Sequence, residues 1–101
     1  MQSRAFDTTE SDKTLRTIIA TLQDLGFVVD KADSILGTVT ATKLQGYNLV
    51  MTVSVRPKGE KQLIVRASAQ YNLKAVTEPK PYQDFFSALS KAMFLEAQQI
   101  D

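Results

Sequence analysis

Between residues 47 and 73, apolar and polar side chains alternate with a period of two. In "YNLVMTVSV" the apolar set is Tyr47, Leu49, Met51, Val53 and Val55, and in "QLIVRASAQYNL" it is Leu63, Val65, Ala67, Ala69, Tyr71 and Leu73. The intervening positions hold Val50, Thr52, Ser54, Ile64, Arg66, Ser68, Gln70 and Asn72. Successive side chains of a strand point to opposite faces, so each segment predicts a strand with one buried and one wet face. "RPKGE" between them carries Pro and Gly in turn roles and predicts the hairpin connection. "TVTATKL" repeats the pattern, with Val39 and Ala41 against Thr38, Thr40 and Thr42. "FVVDKA" predicts a shorter strand with Phe27 and Val29 inward, while "DSILG" and Gly46 mark turns. Short links between alternating segments predict an antiparallel meander with one solvated face.

The period changes at both ends. Leu15, Ile18, Ile19, Leu22 and Leu25 follow helical spacing and predict a helix from about Glu10 to Leu25. Thr9 or Ser11 is expected to cap it, Glu10 and Asp12 suit the positive end of its dipole, and Gly26 is expected to close it in a left-handed C-cap. "TEPKP" interrupts the sheet, and Pro81 fits the first turn of a second helix over about Tyr82 to Gln98. Tyr82, Phe85, Phe86, Leu89 and Met93 form its apolar stripe. The expected fold is one α+β domain over residues 1–101. It is a two-layer sandwich of a four-stranded antiparallel meander with two helices on one face, in the order α-β-β-β-β-α. Residues 1–8 are expected to be a flexible or edge-pairing lead-in.

Composition narrows the chemistry. The chain of 101 residues suits one core, and its 44% hydrophobic and 23% charged content is ordinary for a globular domain. With no Cys and no His, thiolate and imidazole metal sites, Cys nucleophiles and Ser–His pairs are excluded. A net charge of +1 provides no strong field toward polyanions. The N-terminal "MQSRAFDTTESDK" is polar and does not read as a signal peptide. If the protein is exported, the signal is expected to have been removed.

Several stretches together resemble a family of small, uncharacterised Gram-negative envelope proteins of the lipoprotein class. They are the opening Arg4, Phe6, Asp7 and Thr8, then "LQDLGF" from Leu22 to Phe27, the strand from Gly37 to Lys43, and "YQDFF…FLEAQ" from Tyr82 to Gln98. The hairpin around Lys58 falls outside the resemblance. The resemblance implies a periplasmic or outer-membrane-anchored domain, tethered through a lipidated Cys that this chain does not contain. It brings no activity, cofactor or ligand with it.

Three surface features compete with plainer explanations. Residues 34–80 hold seven basic residues (Lys43, Arg56, Lys58, Lys61, Arg66, Lys74, Lys80) against Glu60 and Glu78. This predicts either a basic sheet face or a solubilising face with lysines guarding strand edges. Specific nucleic-acid binding is not expected, because the strand aromatics Tyr47 and Tyr71 share the inward parity and leave no stacking platform. The carboxylates Asp12, Asp24, Asp30, Asp33 and Asp84 read as caps and solvated positions rather than a catalytic pair, and "GTVTATK" lacks the residues of a phosphate loop.

The last helix carries "AMFLEA", in which Phe94 falls roughly opposite the stripe and Leu95 on its flank. Either Leu95 packs on the first helix while Phe94 covers an end of the domain, or the pair forms a partner or self-association patch. The function expected is a non-enzymatic envelope interaction or structural module, with no cofactor, metal or catalytic residue. Its candidate surface comprises Phe94, Leu95, Arg56 and Arg66. The alternative is a carrier of a small apolar ligand in a groove between helices and sheet. A protein partner or a second copy is expected, and membrane contact only through the inferred anchor.

Overall fold

The computed structural model of the chain describes residues 1–44, 48–71 and 74–98. It contains strand β1 (Gln2–Phe6), helix α1 (Ser11–Asp24), strands β2 (Val28–Asp33), β3 (Thr38–Leu44), β4 (Asn48–Lys58), β5 (Gln62–Tyr71) and β6 (Lys74–Ala75), and helix α2 (Lys80–Gln98). The α+β class and antiparallel pairing match the expectation, but among the described residues the sheet has six strands rather than four. The first helix lies between β1 and β2 rather than at the start of the chain.

The strand order is β1-β5-β4-β3-β2, with β6 pairing to β5. Of the two expectations for residues 1–8, the edge-pairing one matches the strand observed. Gln2 to Phe6 pair antiparallel with Ala67 to Leu63 and form an edge of the sheet. This pairing is non-local, and β1 alone shows little alternation. Its inward residues are Gln2, Arg4 and Phe6, and Arg4 is accommodated because its guanidinium carbon stands 5.0 Å from the Phe86 ring centroid. Segment β6 continues the same edge of β5 beyond β1, pairing Ala75 with Gln70 and Lys74 with Tyr71. The gap between the two edge segments falls at Ala69. There the Tyr82 hydroxyl accepts from the Ala69 N–H at 3.2 Å and donates to the Val76 carbonyl at 2.8 Å. A side chain from α2 thus completes the hydrogen bonding that neither edge segment supplies.

Parity holds across the sheet. Val39, Ala41, Leu49, Met51, Val53, Val55, Leu63, Val65, Ala67 and Ala69 are buried beneath the helices. Leu15, Ile18 and Leu22 of α1 and Phe85, Phe86 and Leu89 of α2 meet them. Each such large side chain contributes about 1.5–3 kcal/mol of burial. The turn expected at Gly46, the inward placement of Tyr47 and Leu73, and the outward placement of Asn72 lie outside the described residues.

Other boundaries shift for local reasons. Neither Thr9 nor Ser11 caps α1. Glu10 occupies the cap position without a side-chain cap bond, and the Thr8 hydroxyl accepts the Glu10 N–H instead. At the other end Gly26 has φ +93°, as expected. The Phe27 N–H donates to Leu22 C=O and the Gly26 N–H to Gln23 C=O, the paired bonds of a Schellman closure. Phe27 and Leu22 both enter the core, which supplies the apolar contact of that motif. Arg56, Pro57 and Lys58 belong to β4, so the predicted turn shrinks to Gly59–Lys61. Pro57 is tolerated in the strand because β3 pairing ends at Thr38–Ser54, leaving no neighbour for the missing N–H.

Candidate functional site

The expected surface residues separate into two regions. Phe94 and Leu95 lie in the helical layer on α2, and both are exposed, at 62% and 56%. Leu95 therefore does not pack into the domain against α1. Arg56 and Arg66 lie on β4 and β5 with the parity of the open sheet face, opposite the helices. No single site unites the four.

Arg56 also has local duties. Its guanidinium donates to the carbonyls of Leu36 and Val55 and clamps the β2–β3 turn. Arg66 is exposed in a register row with Ser54, Thr38 and Asp33 on one side and Ser3 on the other. The open face around it is a carpet of hydroxyls from Thr38, Thr40, Thr42, Thr52, Ser54 and Ser68, partly or fully exposed. Among the described residues that face offers no aromatic platform.

The carboxylates are dispersed. Asp33 Oδ1 accepts the N–H groups of Ile35 and Leu36, each at 2.9 Å. Asp30 accepts the Thr42 hydroxyl, Asp7 accepts the Gln62 amide, and Asp84 pairs with Lys80 at 3.2 Å. Among the described residues no group of three or more acidic side chains could hold a metal ion. None of the buried side-chain polar atoms described lacks a partner.

Phe94 stands on the wall of a groove of about 550 Å³ between the two helices and the end of β1. Phe6 and Met93 add apolar lining, Thr14 and Thr17 come from α1, and Asp7, Glu10 and Lys13 bring charge. Thr17 satisfies its own hydroxyl by donating to the Lys13 carbonyl at 2.9 Å, so its burial leaves no orphan donor. Arg4 donates weakly to the Ser90 hydroxyl at 3.4 Å and helps to hold β1 against α2 beside the groove. The volume falls within the range of small-molecule and peptide sites. A groove between helices and sheet was among the expectations, but its position beside β1 was not, because it exists only when β1 returns to the edge of β5. The apolar Phe6, outside any helical stripe, was the one residue that could have signalled it. No protein-family model matches the chain, and no curated protein matches it either.

Proposed function

We propose that the protein is a non-enzymatic interaction module whose partner surface is the end of the helical layer around Phe94 and Leu95. The observation that carries this reading is a 62% exposed Phe on the wall of an apolar-lined groove. A large aromatic left in water beside a concavity is the usual composition of an interface centre. The resemblance to Gram-negative envelope lipoproteins supports placing this module in the periplasm or at the outer membrane. A second copy of the chain is the simplest partner, since a patch on one helix can become self-complementary about a two-fold axis.

Sedimentation velocity run beside a thermal melt tests the reading. Wild type should associate reversibly, and Phe94→Asp should be monomeric with an unchanged melt, because an exposed substitution costs little stability. An unfolded Phe94→Asp variant would place the residue in the core and remove the patch.

The groove volume favours one second reading, a carrier of a small apolar ligand. One-to-one binding of an apolar fluorescent probe that is lost in Ser90→Trp, with wild type remaining monomeric, would support the carrier instead.

A further inference from the structure

The β2–β3 turn, Ser34–Gly37, presents Ile35 at 95% exposure and Leu36 at 59%. Turn tips favour polar residues, and two bare aliphatic side chains there are unexpected. The backbone that carries them is held from several sides. Asp33 Oδ1 takes both of their N–H groups, and the Gly37 N–H reaches the Asp33 carbonyl at 2.8 Å. Arg56 donates to the Leu36 carbonyl, and the Val55 N–H donates to the Gly37 carbonyl at 2.8 Å. The tip therefore satisfies most of its backbone polar groups within the protein, and it is ordered before it meets anything.

We propose that this turn is a membrane-docking tip, in which Ile35 and Leu36 enter the acyl–headgroup boundary of a lipid surface. Three observations favour lipid over a protein partner. Two side chains cannot supply the roughly 800 Å² per partner of a stable protein interface, whereas insertion of a few aliphatic groups suffices for reversible membrane contact. Internally paired N–H and C=O groups lower the cost of entering a medium without water. The same end of the sheet carries Arg56, Lys58 and Lys61 against Asp33 and Glu60, a slight basic excess compatible with lipid phosphates. The tip is distinct from the Phe94 groove. The groove lies at β1 and the tip at β2, the opposite edge of the sheet, across four strand spacings or roughly 19 Å.

The chain contains no Trp, so a single substitution installs a unique reporter. Ile35→Trp in the full chain should shift its emission to the blue on addition of vesicles of phosphatidylethanolamine with phosphatidylglycerol, and brominated acyl chains should quench it. Phe94→Trp should show neither response. In flotation with the same vesicles, the double variant Ile35→Ser, Leu36→Ser should partition about tenfold less than wild type at an unchanged melting temperature. The proposal is overturned if wild type fails to float, if the double variant floats equally well, or if Phe94→Trp responds in place of Ile35→Trp. It is also overturned if the double variant abolishes self-association instead of flotation, which would assign the tip to a second copy of the chain.

Discussion

Gly37 and Gly59 offer a controlled measurement of steric cost, because their φ values are nearly identical and their surroundings are not. Their φ values are +68° and +65°. A methyl group at either position meets the same left-handed strain, roughly 1–2 kcal/mol, offset by about 0.4–1 kcal/mol through the reduced freedom of the unfolded chain. At Gly59 an added Cβ has nothing within 4 Å. Gly59→Ala should therefore cost about 0.5–1 kcal/mol. At Gly37 the same Cβ would stand 2.8 Å from the Val55 carbonyl oxygen and 3.3 Å from Arg56 Nη1. The nearer neighbour does not yield readily. The Val55 carbonyl is backbone in a central strand, and Arg56 is bonded to both Leu36 and Val55. Forced overlap of this kind adds about 1–3 kcal/mol, bringing Gly37→Ala to about 1.5–4 kcal/mol. Guanidinium melts at matched protein concentration measure both, and an unchanged m value shows that the same transition is being compared. Equal losses, within about 0.5 kcal/mol, would show that β3 and β4 part without penalty. The account of a rigidly clamped turn would then be wrong.

Three further outcomes follow from the packing. Tyr82→Phe should destabilise by about 1–3 kcal/mol, because it strands the buried Ala69 N–H and Val76 carbonyl; thermal melts check it, and a loss too small to resolve would mean that water reaches the gap. Val53→Ala should cost about 1–3 kcal/mol through lost burial and a cavity, whereas Ser54→Ala on the open face should stay within about 0.5 kcal/mol; equal losses would mean that both faces of β4 are covered. Single-stranded RNA or DNA should show no specific binding in fluorescence anisotropy, and any weak association should vanish toward physiological salt, because few phosphate contacts are available; tight, salt-resistant binding would contradict the hydroxyl-lined reading of the open face.

The strands β3 to β5 and both helices were legible because their burial is periodic. Val53 and Val65 sit in the core and Arg66 in solvent, as the period of two requires. Gly26 was legible because the αL backbone of a helix end has a strong residue preference. Strand β1 was only half legible. Its five residues include Gln2 and Arg4 on the inward side, and the acceptance of Arg4 depends on Phe86 and Ser90, more than eighty positions away. The same return of β1 to β5 inverted the expected helix-first order and created the groove at Phe6, Met93 and Phe94. The angular position of Phe94 on its helix was readable from spacing alone, and its exposure agrees with it. Whether Leu95 would find a neighbour was not readable, because that depends on where α1 and α2 part. The "SIL" of the β2–β3 turn carried a visible signal, two aliphatics where polar residues are usual. Its rigidity came from two strands, β2 through the local bonds of Asp33 and β4 through Arg56 and Val55, and the β4 half depends on tertiary contact rather than local spacing.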